Sequence, residues 1–198
     1  WLVDSVRALV GTVDAVLVLD QVDVPGTGVV TKKVRAAIGE IAAENPDLVV
    51  IADSRRGLRD WPRVSLKMNA RELTELTAIP PGADVPHLLE VARVLAREKG
   101  RPVFVTLSDR GILGAAPNGD VQHLPCLPLR GPIDIVGAGD AVTANLAAAL
   151  AAGANLLEAL ELANAAASIV IHQLGTTGTA SVRQLAEQVL PEPTSSKQ

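Results

Sequence analysis

The stretch Asp134–Ala152, DIVGAGDAVTANLAAALAA, joins a glycine-bounded turn to an alanine-rich helix. Gly137 and Gly139 flank one small residue, so the backbone can turn tightly and present its N–H groups at a helix start. Such unpaired donors, with the positive end of the helix dipole, stabilise an anion. Asp140 falls in the first turn, where a carboxylate beside an anion hole can accept the proton of a hydroxyl attacking phosphorus. The same residues also read as an ordinary glycine turn with an Asp cap, and spacing does not choose between the two. The pattern is neither G-x-G-x-x-G nor G-x-x-x-x-G-K-[ST], which sets aside a dinucleotide fold and a Walker A loop.

Outward from that segment, apolar runs alternate with helical patterns. Strands are predicted at Asp14–Asp20, Leu48–Ala52, Leu66–Met68 and Val103–Thr106. A hairpin follows from Gly111 to Pro125, with Asn118-Gly119 reading as a type I′ turn. Helices are predicted at Thr31–Glu44 with Thr31 as N-cap, Asp84–Lys99, Gly139–Ala152, Leu156–Ile171 and Val182–Val189, and Trp1–Val10 also reads as helical. Pro191–Gln198 is a polar tail expected to fray. The alternation predicts an α/β fold, a largely parallel sheet with helices on both faces and right-handed crossovers, occupying residues 1–190 as one domain. Ligands of such sheets gather at the carboxyl ends of strands.

Composition narrows the class. Of the 198 residues 48% are hydrophobic but only 2% aromatic, so the core must be Ala, Val, Leu and Ile, as suits helices and buried parallel strands. A net charge of −4 without a basic run argues against nucleic-acid binding. No uncharged apolar run reaches the roughly 18 residues of a membrane span. One cysteine, Cys126, excludes an internal disulfide and fits a reducing, cytoplasmic setting, where it reads as a packed thiol. His87, His123 and His172 lack metal-ligand spacing and read as structural.

Two further clusters sit at predicted strand ends. Asn69 and Glu72 lie three apart at a helix start, where Asn as N-cap with Glu at N3 imitates a capping box. Asp53-Ser54-Arg55-Arg56 ends a strand and reads equally as a phosphate-facing loop or a solvated basic turn.

The run from Asp134 to Gly178 closely resembles the C-terminal signature of the ribokinase-like PfkB carbohydrate kinases, usually written D-T-x-G-A-G-D. The resemblance implies a ribokinase-like fold and ATP-dependent phosphotransfer to a sugar or sugar phosphate. It makes Gly137, Ala138 and Gly139 the anion hole and Asp140 the catalytic base. Ile135 stands where many members carry Thr; an apolar residue there, and the stretch Leu162–Gly178, look like the heptose-7-phosphate kinase branch. Asn69 and Glu72 match the family's N-x-x-E motif, an indirect Mg2+ site. Val105–Gly111 is similar to its V-T-x-G-x-x-G nucleotide loop, through Thr106, Ser108 and Gly111, with Ser108 replacing the usual Gly. Asn164 would lie near the adenine, with Gly175 and Thr176 on the adjoining loop. Asp134, Val136, Ile171 and Thr176 fall where some members hold K+.

Family members run to roughly 300 residues, so the N-terminal sugar-binding motifs and the small β lid, which often mediates homodimerisation, are expected to lie outside this chain. On that expectation the 198 residues phosphorylate poorly or not at all by themselves. A nucleoside or vitamin-precursor kinase of the same fold, or a non-catalytic nucleotide-binding module, are the competing readings.

Overall fold

A computed structural model describes residues 1–24 and 26–190. The tail predicted to fray lies outside them. Six strands form one sheet in the order β1 (Ala15–Asp20), β2 (Val49–Ser54), β3 (Ser65–Asn69), β4 (Val103–Thr106), β5 (Ile112–Ala115), β6 (Val121–Leu124). β1 to β4 run parallel, with Ala15 beside Val49 and Leu66 beside Val103; β5 and β6 turn back antiparallel. Parallel neighbours need crossovers, and the intervening segments supply α2 (Lys32–Glu44) and α4 (Val85–Lys99). The other helices are α1 (Leu2–Leu9), α3 (Ala70–Thr77), α5 (Ala138–Ala151), α6 (Leu156–Ile171) and α7 (Val182–Val189).

Two apolar layers sandwich the sheet. On one side Ile38, Ile41, Leu88, Ala92 and Leu95 pack on Val50, Leu66, Met68 and Val105. On the other, Val142, Leu146, Ala159, Leu160 and Ala163 pack on Ile51, Phe104 and Ile112. Phe104, the single phenylalanine, is fully buried in the sheet centre. Alanines on α5 and α6 let the two helices lie close together over the strands. Truncating Leu160 there should cost about 2–5 kcal/mol, the usual range for a buried Leu→Ala change.

The hairpin forms, but its turn is not type I′. Gly119 N–H donates to Ala116 C=O at 3.0 Å, which centres the turn on Pro117-Asn118. Pro117 fixes φ near −65°, the value wanted at the first central position of a type I turn, and forbids the positive φ of type I′. Gly119 takes the left-handed position instead, at φ 98°.

Candidate functional site

The carboxyl ends of β3 and β4 lie side by side, with Asn69 in register with Thr106. Asn69 caps α3 in a full capping box. Its Oδ1 accepts from Glu72 N–H at 2.9 Å, and Glu72 Oε2 accepts from Asn69 N–H at 2.7 Å. Burial pushes the Glu72 carboxyl above its ordinary value, and neighbouring Asp53 adds to the rise; the Asn69 hydrogen bond and Lys67 partly offset it.

From Thr106 the chain enters a one-turn 3-10 segment, Ser108–Arg110, closed by Leu107 N–H on Gly111 C=O at 2.7 Å. Ser108 has φ +58°, a left-handed conformation at the position where the resemblance expects glycine. Gly111 has φ +89°, and a Cβ there would lie 2.0 Å from the Leu124 carbonyl oxygen, so only glycine fits. Cys126 is half-buried, its Sγ 3.6 Å from the Ser108 carbonyl.

α5 begins at Ala138, one residue earlier than predicted, and its N-cap Gly137 has φ +81° and no side-chain cap. The amides of Gly139 and Asp140 have no acceptor among the described residues. Thr177 braces the turn: a Cβ on Gly137 would lie 2.8 Å from Thr177 Cγ2. Asp140 is exposed and makes no ion pair or hydrogen bond among the described residues. Asp134 ties this loop to the one after α6. Its Oδ1 accepts from Val136 N–H at 3.0 Å and its Oδ2 from Gly175 N–H at 3.2 Å, while its own N–H donates to Ile171 C=O at 2.7 Å.

Between the 106–111 loop, the start of α5 and the side of α6 opens a cavity of about 630 Å³, within the range of small-molecule sites. Asn69, Thr106, Ser108, Gly111, Ala138, Gly139 and Asn164 all line it. Gly137, Asp140, Glu72, Asp134, Val136, Gly175 and Thr176 do not, and Thr176 is exposed on the neighbouring loop. Asn164 is buried rather than facing solvent, and its Nδ2 donates to Pro125 C=O at 2.9 Å, fastening the exit of β6. The remaining walls, Ile112, Leu127, Leu129, Ile133, Ile135 and Val142, are apolar.

The basic turn 53–56 resolves into two ion pairs. Arg56 binds buried Asp20 through Nε at 3.1 Å and Nη2 at 2.5 Å, so it is not a free phosphate ligand. Asp53 binds Lys67 Nζ at 2.8 Å. Sequence reasoning passed over Lys67, inside the apolar run Ser65–Met68. The available signal was a lysine in a strand buried on both faces, where an unpaired charge is costly. Its Nζ lies 3.2 Å from where a Cβ on Gly139 would stand, against the first turn of α5. His123 and His172 are structural, accepting from or donating to backbone groups of Arg110, Ser168 and Arg130.

Residues 29–183 match the family described as pfkB family carbohydrate kinase. The chain is 36% identical over 189 residues to the bifunctional protein HldE of Rhodospirillum rubrum, covering 93% of this chain and 36% of that one. The bifunctional protein HldE of Paramagnetospirillum magneticum is 43% identical over 109 residues, 54% of this chain and 22% of the other. Among solved structures, a ribokinase of Arabidopsis thaliana complexed with ribose and ATP superposes with TM-score 0.72 at 21% identity, over 88% of this chain and 55% of that one. Phosphofructokinase-2 of Escherichia coli in complex with potassium gives 0.71 at 19% identity, over 94% and 60%. These likenesses show a ribokinase-like fold. The chain spans about a third of the length of the curated relatives it matches.

Proposed function

The chain belongs to the pfkB family of carbohydrate kinases, and on that premise we propose that it transfers the terminal phosphoryl group of ATP to a hydroxyl of a sugar or sugar phosphate. The observation that carries this reading is the bare start of α5, where Ala138 and Gly139 edge the large cavity, the amides of Gly139 and Asp140 have no acceptor among the described residues, and the Asp140 carboxylate is unpaired there. An uncapped helix start is an anion site, and a free carboxylate within the same turn is placed to take a proton.

In this reading the nucleotide base lies between the apolar walls beside Asn164, and the phosphates run along Thr106–Gly111 to α5. The Gly137–Gly139 segment meets the charge on the equatorial oxygens of the transferring group. Asp140 accepts the acceptor's hydroxyl proton as that oxygen bonds to phosphorus and the bond to the ADP oxygen breaks. Positioning and fixed dipoles supply most of the rate.

Glu72 keeps one carboxylate oxygen outside its capping box, half-buried and close to Asp53, which fits a hard cation held through water. Asn69 and Glu72 would hold Mg2+ there, and the ion would neutralise phosphate charge. Asp134 and Gly175 join the two loops, with Val136, Ile171 and Thr176 beside them, where K+ would be shared. Among acceptors, a heptose 7-phosphate is favoured by Leu162–Gly178 and by the HldE relatives. A cytoplasmic location and a homodimer of the full-length protein belong to the same proposal. No helix among the described residues is long and apolar enough to cross a membrane.

The test is ADP formation with ATP, Mg2+ and a panel of sugars, sugar phosphates and nucleosides, in full-length protein. Turnover with a sugar phosphate that stops in Asp140→Asn supports the reading. Turnover confined to nucleosides, or ATP binding with no acceptor, favours the competing ones.

A further inference from the structure

Lys67 is the least expected charge in the protein. Its side chain is 8% exposed, in the middle of a parallel sheet, with Asp53 as its partner at 2.8 Å. An ammonium carries three donors, and among the described residues this one makes one hydrogen bond. Its Nζ faces the first turn of α5, 3.2 Å from the Cβ position of Gly139, where two backbone amides also lack acceptors. A buried cation therefore rests against the positive end of a helix, with Asp53 as its one ion-pair partner among the described residues. Like charges converging in a low-dielectric site repel unless an anion lies between them.

We propose that Lys67 is a direct ligand of the terminal phosphate of the nucleotide, acting together with the Gly139 and Asp140 amides, and that Asp53 positions it. The inference rests on the proposed kinase reading and adds a residue to that site. Asp53 holds one N–H of the ammonium, and Nζ already lies against the first turn of α5 before any nucleotide arrives. Gly139 leaves the room this needs, because any larger residue would press its Cβ against Nζ. The phosphate thus meets a charged donor from the sheet below and neutral donors from the helix beside it. As the transferring group gains negative character on its equatorial oxygens, the ammonium strengthens its hold.

Calorimetric titration of the 198-residue chain with AMP and with the non-hydrolysable triphosphate AMP-PNP, each with Mg2+, separates this role from a structural one. In Lys67→Met the affinity for AMP-PNP is expected to fall about 30-fold, the size of a charge-assisted hydrogen bond, while AMP binding changes less than about twofold. Equal losses for both ligands, or no loss, overturn the proposal. Because the single change strands Asp53 without its partner, the double variant Lys67→Met with Asp53→Asn provides a folded protein for the same comparison. Asp53→Asn alone keeps the preference for the triphosphate, since the ammonium remains; its disappearance there also counts against the assignment. Binding of neither nucleotide by the unaltered chain sinks the kinase reading and this inference together. Binding by the unaltered chain and by Lys67→Met alike sinks this inference alone.

Discussion

α5 and α6 pack against each other over the same face of the sheet, yet their first turns are built in opposite ways. α6 opens with Asn155 and Glu158 in a reciprocal cap: Asn155 Oδ1 accepts from Glu158 N–H at 3.0 Å and Glu158 Oε2 from Asn155 N–H at 2.8 Å. α5 opens with Gly137, which has no side-chain oxygen to offer. The first arrangement satisfies its own donors and contributes about 1 kcal/mol to stability. The second forgoes that, and in the proposed reading its donors are kept for a ligand. α3 stands between them, with a complete capping box formed by Glu72 and by Asn69, which lines the cavity. On the proposed reading, the open cap of α5 serves a ligand, the closed cap of α6 serves the fold, and α3 would do both.

The largest effect should come from Asp140→Asn, which removes the base but leaves the open turn intact. Turnover in the full-length protein is expected to drop about a thousandfold, with nucleotide affinity and melting temperature unchanged. A retained rate would move the base to another residue. Next, Gly137→Ser tries to make α5 resemble α6 by supplying a cap. It should slow phosphoryl transfer about a hundredfold and lower stability by about 1–2 kcal/mol, because a Cβ at φ +81° also strikes Thr177. Faster or unchanged turnover would show that the open turn is not the site.

Asn155→Ala should lower the melting temperature by about 2–4 °C and leave turnover alone, whereas Asn69→Ala should combine the same loss with slower turnover. If the two variants behave identically, α3 belongs with α6 and not with the site. The smallest effect concerns pH. Burial raises the Glu72 carboxyl above the value it has in the unfolded chain. Between those two values the folded protein holds a proton that the unfolded chain has released, so stability falls as pH rises through that window. Glu72→Gln keeps an acceptor for Asn69 N–H and should lack this fall in melts from about pH 4 to about pH 7.

Most strands and helices were legible because each is decided locally. Val49–Ile51 and Val103–Val105 are β-branched or aromatic runs, the second bounded by Pro102 and Thr106, and α2, α4 and α6 carry both an N-cap and an apolar stripe. The hairpin turn was misread because Asn118-Gly119 is a strong local signal that the adjoining Pro117 overrides. In the candidate site, residue type and order drew attention to the glycine turn and Asp140 but left an anion hole and an ordinary cap equally open, and the family resemblance chose between them. Lys67 could not be found this way, since its meaning depends on Asp53 in one neighbouring strand and Gly139 some seventy positions away. The tie from Asn164 to Pro125 was hidden for the same reason, since the sheet brings the partner to it.

Ser108, held at φ +58° where glycine would sit without strain, has a consequence for binding entropy. A left-handed serine costs about 1 kcal/mol in the folded chain, but it also explores fewer conformations than glycine when unfolded. The order of the loop is therefore set when the protein folds and need not be imposed by the ligand. On the proposed reading, a nucleotide meeting Thr106–Gly111 would find a rim ordered in advance, and little of its contact energy would go into stilling a flexible one.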